Sequence, residues 1–396
     1  MRVKIYPGKA QGRLAVPPSK SMAHRLLICG ALSPGSRIGG VSDSRDVQAT
    51  LGALTSLGAS VQKQGDTVTI GSLPRQGSAS LSCLESGSTL RFLIPLCMLR
   101  DLPVTLKGAP ALIARPLDAY EALAGERGLL FEKGKNFVRV CGPLTGGRFE
   151  VAGDKSSQFI SGLLFALPLC REDSILTVTG KAESMSYIDL TLGALADFGI
   201  GIRREGQTFF IPGGQEYLSR DVTVEGDWSN AAFPAALGYL GGDVTLTGLR
   251  EDSRQGDKVY PALFRKIGKE TVDLSDCPDL APVLFALAAA RGGGKFTGTR
   301  RLRYKESDRV DTMRRELSRF GVTLTAREND VTVSGILQAP RTALSGHNDH
   351  RVVMALSVLL TLTGGEIDGA EAVGKSYPEF FDDLKKIRIR VETYGI

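Results

Sequence analysis

The sequence is short of the residues that most often build metal and redox centres. Only three histidines occur in 396 residues, His24, His347 and His350. The last two lie close together but have no third soft ligand at ligand spacing, so no metal site is expected. Six cysteines, Cys29, Cys83, Cys97, Cys141, Cys170 and Cys277, never form a Cys-x-x-Cys pair, and several sit in apolar stretches such as LLFALPLC. They read as small buried hydrophobes of a protein in a reducing cytoplasm. Long apolar runs are missing too. The longest, VVMALSVLLTL from Val352, falls short of the ~18–20 residues of a membrane span, and the N-terminal MRVKIYPGKA alternates like a first strand and lacks a signal-peptide core. No Walker motif and no strand-linked Gly-x-Gly-x-x-Gly is present, so no nucleotide cofactor is indicated. Basic residues outnumber acidic ones, 49 to 43, but run no further than pairs such as Arg203-Arg204, which gives no nucleic-acid stripe. The expectation is a soluble cytoplasmic chain with neither nucleic-acid nor membrane partner.

Glycine, in contrast, is abundant, 47 residues, and its placement is periodic. Helical segments ending apolar-x-x-apolar-Gly recur, each followed by short alternating strands: ALTSLG to Gly58, ALADFG to Gly199, LFRKIG to Gly268 and ELSRFG to Gly321. A worn copy ends at Gly128, and a terminal one, DLKKIR, has Arg388 in the glycine's place. The stops at 58, 128, 199, 268, 321 and 388 are 70, 71, 69, 53 and 67 residues apart. Glycine after the last apolar position is the left-handed helix stop, and Gly65, Gly134 and Gly206 supply hairpin turns.

Each unit carries an earlier helix as well: Ser21 to Leu32, Ser88 to Met98, Ser156 to Leu169, Ser229 to Leu240, Asp279 to Ala290 and His350 to Leu360, making twelve helices. Several, such as LAPVLFALAAA, are apolar nearly all round and therefore buried on every side. Helices inside and strands outside, three units to a domain, imply two domains divided near Val224-Glu225-Gly226.

Helix starts hold the polar chemistry. Ser, Asp and Asn there cap free N–H groups, but capping does not explain Lys20, Arg25, Arg91, Arg115, Lys305, Arg309, Arg351 and Lys375, all in or near a first turn. The helix dipole disfavours each cation there by ~0.3–1 kcal/mol. Repeated use of cations at that cost points to helix starts gathered on anions, where guanidinium forks bind phosphate and carboxylate. In Lys305-Glu306-Ser307-Asp308-Arg309, helical geometry would put Lys305 and Arg309 on one face as i and i+4, with Glu306 about 100° round. Asp279, a lone carboxylate before an apolar helix, is either a cap or a general base beside a substrate hydroxyl.

Ten motifs in this order resemble the 5-enolpyruvylshikimate-3-phosphate synthase family along essentially the whole chain: SKS-x-x-x-R (Ser19 to Arg25), SG-x-T-x-R (Ser86 to Arg91), RP at Arg115, SSQF (Ser156 to Phe159), S-x-x-YID (Ser184 to Asp189), VEGD (Val224 to Asp227), PD at Asp279, KESDR (Lys305 to Arg309), NDHR (Asn348 to Arg351) and KSYP (Lys375 to Pro378). The resemblance implies an α/β (α+β) fold, a two-domain inside-out α/β barrel of six β-α-β-α-β-β repeats, with buried helices and outer sheets. Its domains would be 17–225 and 1–16 plus 226–396, with the active site in the cleft between them.

The implied reaction moves the enolpyruvyl group of phosphoenolpyruvate to the 5-hydroxyl of shikimate 3-phosphate, without metal or cofactor, in a monomer. The family's roles imply that Lys20, Ser21, Arg25, Ser156, Ser157, Gln158, Ser184, Tyr187, Asp279 and Lys305 hold shikimate 3-phosphate. Lys20, Gly87, Arg91, Arg115, Gln158, Arg309, Arg351 and Lys375 would surround phosphoenolpyruvate. Asp279 would take the hydroxyl proton with Lys20 nearby, and Glu306 would serve the methylene carbon. The chain departs from the family pattern at Glu85-Ser86, where many members have Asn-Ala or Asn-Ser, at Phe92, where many have Pro, and at Arg301, which stands where a substrate-binding Asn often lies. The sister enzyme acting on UDP-N-acetylglucosamine carries Asn after the first Lys and a loop Cys; Ser21 stands there in this chain. An RNA 3'-phosphate cyclase would need a nucleophilic His and a nucleotide, and a plain anion-binding module has no use for Asp279 with Glu306.

Overall fold

A computed structural model describes residues 1–74, 77–154, 156–181 and 183–395. Lys155, in one of the polar helix-start clusters, lies outside the described residues. The chain forms two compact units, an inserted one of Lys20–Glu225 and a discontinuous one of Met1–Ser19 with Gly226–Ile396.

One sheet pattern recurs in both. In the inserted unit, Gly147–Ala152 runs parallel to Ser174–Thr179, which pairs antiparallel with Thr208–Ile211 and that in turn with Arg203–Glu205. The same order joins Ala79–Ser82, Val104–Lys107, Phe137–Cys141 and Leu130–Lys133, and again Asp221–Thr223, Ser36–Gly39, Thr67–Gly71 and Ser60–Gln64. The discontinuous unit repeats it with Thr271–Asp273, Gly293–Thr297, Asp330–Gly335 and Val322–Ala326. A further copy, Leu344–Ser345, Gly365–Asp368, Arg2–Ile5 and Val391–Tyr394, borrows its third strand from the N-terminus. The remaining copy is reduced to Gln11–Ala15 parallel to Asp243–Thr247. After Gly268 the chain enters Thr271–Asp273, the first strand of the next sheet, with no hairpin between. The missing hairpin accounts for the short interval from 268 to 321.

The six stops share one backbone state. Gly58, Gly128, Gly199, Gly268 and Gly321 have φ of +101°, +65°, +82°, +77° and +74°, and Arg388 adopts +67° despite its Cβ. The earlier helix of each unit is buried, all of Ala281–Ala289 and of His350–Thr361 being inside, whereas the helices that end at the stops bury one face, Asp118–Arg127 through Tyr120, Leu123 and Ala124. Each unit has its own apolar core, with Leu27, Phe92 and Leu164 in the inserted one and Phe233, Leu284 and Leu356 in the discontinuous one. Helices inside and strands outside is thus the observed layering.

Thirteen α-helices occur among the described residues, one more than expected; the extra is the single turn Pro110–Ile113. None is long and apolar enough to cross a membrane among the described residues. Where the chain passes from one unit to the other, Gln255 ties both strands on the discontinuous side. It accepts from Ser19 Oγ (3.2 Å) and Trp228 N (3.1 Å) and donates to the Gly226 carbonyl (2.8 Å).

Candidate active site

In the inserted unit, two helices face each other through paired rungs. Lys20 and His24 are one turn apart on Lys20–Leu32, as Asp46 and Thr50 are on Arg45–Ser56. Lys20 Nζ lies 2.9 Å from Asp46 Oδ2, and His24 Nδ1 2.7 Å from Thr50 Oγ1. The second rung continues through a buried relay, Thr50 to Thr89 (2.6 Å) and Thr89 to Ser86 (2.7 Å), reaching the cap of the next helix, Gly87–Cys97. Because Thr89 gives its hydroxyl proton to Ser86, Thr50 must give its own to Thr89. His24 is then the Nδ1–H donor at the head of the chain. Burial, and after it the charges of Lys20 and Arg25, holds the imidazole well below its ordinary pKa, so the relay is neutral.

Ser86 caps the helix that presents Gly87 and Arg91. Arg91 Nη1 donates to Gln158 Oε1 (2.7 Å) and Nη2 to the Pro116 carbonyl (3.3 Å), while Gln158 Nε2 donates to Ser88 Oγ (3.0 Å). A Cβ at Gly87 would lie 3.1 Å from Arg115 Nη1 and 3.7 Å from Arg91 Nη1. Two guanidinium groups and an amide therefore converge on one bare backbone. The helix Ser157–Ala166 comes close enough for this because Gly162 has no side chain; a Cβ there would meet the Tyr120 hydroxyl at 2.2 Å. That hydroxyl donates to the carbonyls of Arg91 (2.8 Å) and Phe159 (3.1 Å), pinning both helices.

Arg25 is buried, and among the described residues its three nitrogens meet only neutral acceptors: Thr191 Oγ1 at 2.9 Å, the Ser21 carbonyl at 2.6 Å and the Tyr187 carbonyl at 2.8 Å. Desolvation pushes its pKa down to about 10. Such a cation is stabilised by an incoming anion. Phe92 explains itself here: its ring lies under the Arg25 guanidinium at 5.1 Å and edge-on to Phe165 at 5.5 Å. In the same unit, Ser156 and Ser184 occupy helix N-cap positions, Ser157 is buried, and Ser184 takes the left-handed φ of +56°.

In the discontinuous unit the centre is Asp279, on the turn Pro278–Leu280 before Ala281–Ala290. Its Oδ1 meets Arg309 Nη1 at 2.9 Å and Lys305 Nζ at 3.3 Å, and its Oδ2 meets Arg351 Nη2 at 3.0 Å. Arg309 also donates through Nε to Asp349 (2.9 Å) and through Nη2 to Glu306 (2.6 Å). Burial alone would weaken that guanidinium's hold on its proton, but Asp349, Glu306 and Asp279 together keep its pKa above the ordinary value. Lys305 is shifted downward, burial outweighing the opposing pull of Asp279. Lys375 Nζ donates to the Asn348 carbonyl at 2.7 Å.

Several positions differ from the sequence-based reading. Lys305 and Arg309 do not share a helical face: the helix begins at Arg309, capped by Asp308, and Lys305 follows a 3-10 turn. Glu306 does not point away but pairs with Arg309. Asp279 does not cap; its carboxylate is an ion-pair partner. Arg115 lies between the turn Pro110–Ile113 and the helix Asp118–Arg127, and Lys375 ends the turn Ala370–Lys375 before the helix Phe380–Lys386, so both stand ahead of a first helical turn and not within one. Arg301, given no role, donates to the Ser275 carbonyl at 3.1 Å.

Four partners were not singled out from sequence: Asp46, Thr50, Asp349 and Asp257. Asp349 stands inside the NDHR motif, and Thr50 interrupts an apolar helix one turn after Asp46, which is the available signal. Asp257 is buried and accepts from the Ser229 hydroxyl. Its pKa is raised to about 6, first by burial and then by the charge of Asp279, against the opposing pull of Arg351 and Ser229.

The chain matches the family model described as EPSP synthase (3-phosphoshikimate 1-carboxyvinyltransferase) over residues 6–272 and 262–384. It is 36% identical to the 3-phosphoshikimate 1-carboxyvinyltransferase of Clostridium kluyveri, across 100% of this chain and 99% of that protein. It is likewise 36% identical to that of Clostridioides difficile, with the same coverage. Among solved structures, the EPSP synthase of Acinetobacter baumannii superposes with a TM-score of 0.79 at 24% identity, over 99% of this chain and 100% of that one. The enolpyruvyl transferase NikO of Streptomyces tendae gives 0.76 at 16% identity, over 99% and 98%. These two likenesses bear on the fold.

Proposed function

The chain belongs to the EPSP synthase family, and from that premise we propose how its side chains divide the work of the reaction. The enzyme transfers the enolpyruvyl group of phosphoenolpyruvate to the 5-hydroxyl of shikimate 3-phosphate and releases phosphate, a step of the shikimate pathway toward aromatic amino acids. In our assignment Ser21, Arg25, Ser156, Ser157, Gln158, Ser184 and Tyr187 receive shikimate 3-phosphate, the uncompensated charge of Arg25 serving its anion. Gly87, Arg91, Arg115 and Gln158, with Lys20, Arg309, Arg351 and Lys375, receive phosphoenolpyruvate.

Asp279 accepts the 5-hydroxyl proton as oxygen attacks C2, while Lys20 and Lys305 steady the developing charge. Glu306 handles the proton that the methylene carbon gains and later gives up. Addition gives a tetrahedral ketal, and its collapse expels phosphate, so fixed cations supply the stabilisation without reorganising. The observation that carries this reading is the convergence of Arg309, Arg351 and Lys305 on one carboxylate, Asp279, beside Glu306. In our assignment the enzyme is a monomer and acts in the cytoplasm, a compartment that fits six cysteines of which none forms a disulfide among the described residues.

The test is phosphate release from phosphoenolpyruvate by the whole chain. Release that depends on shikimate 3-phosphate is expected; equal release with UDP-N-acetylglucosamine, or none with either, overturns it. Asp279→Ala is expected to lower kcat at least a hundredfold with smaller effects on KM, and Arg115→Ala to act chiefly on the KM for phosphoenolpyruvate.

A further inference from the structure

Asp279 cannot serve as a free base in the arrangement seen here. Both its oxygens are engaged, Oδ1 by Arg309 and Lys305 and Oδ2 by Arg351, with a further hydrogen bond from Arg351 Nη1 to its carbonyl at 3.2 Å. The same two arginines are those assigned to phosphoenolpyruvate. The side chain of Arg309 is 1% exposed and that of Arg351 3%, whereas Asp279 is 17% exposed. The carboxylate of Asp279 thus lies over the cations as their more accessible partner. The other donors of Arg309 are committed to Asp349 and Glu306, which leaves Nη1 and the Arg351 fork as the groups a ligand would take over.

We infer that the carboxylate of phosphoenolpyruvate takes the place of Asp279 on Arg309 and Arg351, and that this exchange frees Asp279 to accept the acceptor's hydroxyl proton. The inference rests on the assignment of Asp279 as the base. Its physical basis is like-for-like replacement: the two guanidinium groups already hold a planar carboxylate, and a second one presents the same two oxygens to the same forks. Ion-paired Asp279 is neutralised and turned to its partners. Once displaced from the two arginines it keeps Lys305 and lies close to the buried Asp257, whose like charge favours a proton on one of the two carboxylates. The base is therefore released by the donor it will serve, and the hydroxyl is deprotonated only when the enol that traps it is in place. Asp279 and phosphoenolpyruvate compete for the arginines, so each weakens the other's hold on them.

Calorimetric titration of Asp279→Asn with phosphoenolpyruvate, in the absence of shikimate 3-phosphate, tests the exchange. The variant lacks the competing carboxylate, and we expect it to bind phosphoenolpyruvate at least tenfold more tightly than the wild type. Inorganic phosphate, which has no carboxylate, should gain less than threefold. Unchanged or weaker phosphoenolpyruvate binding overturns the inference, and so does an equal gain for both ligands, which is what removal of one nearby negative charge would give. Turnover separates the two levels: a variant that keeps near-wild-type kcat refutes Asp279 as the base, whatever its affinity. A measurement without a variant is the structure of the wild type with phosphoenolpyruvate bound. Asp279 should then stand beyond 3.5 Å from Arg309 Nη1 and Arg351 Nη2, with the ligand carboxylate in its place; persistence of both ion pairs refutes the exchange.

Discussion

Gly87 sets how closely the cations of the inserted unit can approach a ligand. Its φ is not in the left-handed region, so alanine fits the backbone, but the added Cβ enters the space between Arg115 and Arg91. Gly87→Ala is expected to raise the KM for phosphoenolpyruvate about tenfold and leave the urea midpoint within experimental error, since the first helical turn tolerates alanine; steady-state kinetics and equilibrium unfolding check both. His24 makes a second prediction, about pH. Its folded pKa lies well below the ~6.5 of the unfolded chain, so the unfolded state binds more protons as pH falls under 6.5. Its contribution to stability is whole above that value and declines below it, by up to ~1.4 kcal/mol per pH unit. Asp257 has the opposite slope, its folded pKa being raised to about 6. Comparison of wild type with His24→Gln cancels that term: from pH 6.5 to 5 the wild type should lose more stability than the variant. The cationic residues of both clusters were legible in the sequence because each stands against the helix dipole or in a motif. Asp46, Thr50 and Asp257 were not, because a buried acid or hydroxyl reads like a cap until its partner is known.

Repetition of the helix stop is what made the elements readable, since a left-handed residue after an apolar helix demands glycine five times in six. Arg388 takes the same conformation with a Cβ, at roughly 1 kcal/mol of strain. Its side chain donates an exposed hydrogen bond to Gln11 Oε1 at 2.8 Å. Arg388→Gly should therefore stabilise the chain by about 0.5–1 kcal/mol, and Gly128→Ala, whose Cβ would meet open space, should destabilise it by about 1 kcal/mol from backbone strain alone. Denaturant midpoints at constant m decide the matter, and opposite signs for the pair are the expected result. What the pattern could not reveal is how strands are shared. The first strand of one sheet comes from Asp221–Thr223 and the third of another from Arg2–Ile5, pairings across more than 180 residues that leave no local trace. Nor could helical periodicity place Lys305, because Asp308 caps the helix and stops it short of the motif's first residues. The turn before Arg351 is similar: His347 and Asn348 both adopt left-handed φ, +47° and +54°. That strain is held by His347 Nε2 against the buried Glu316 at 2.8 Å, and Glu316 also accepts from Ser345 N at 3.0 Å.

Two separate apolar cores joined by two chain crossings make the molecule's stability a question about units. Each core is complete within its own unit, so a cavity in one removes packing from that unit alone. The single tryptophan, Trp228, lies in the discontinuous unit, its indole N–H donating to the Arg250 carbonyl at 3.2 Å and its ring beside Tyr260. Its emission therefore reports the unfolding of that unit, whereas far-ultraviolet circular dichroism reports both. Leu284 and Leu164 are fully buried at matching places, one in each core, and truncation of either to alanine should cost about 2–5 kcal/mol. Leu284→Ala is expected to lower the urea midpoint seen by Trp228 emission. Leu164→Ala should leave that midpoint in place and lower only the part of the circular-dichroism transition that tryptophan does not follow. Equal displacement of the tryptophan transition by both variants would mean that the units unfold as one cooperative body.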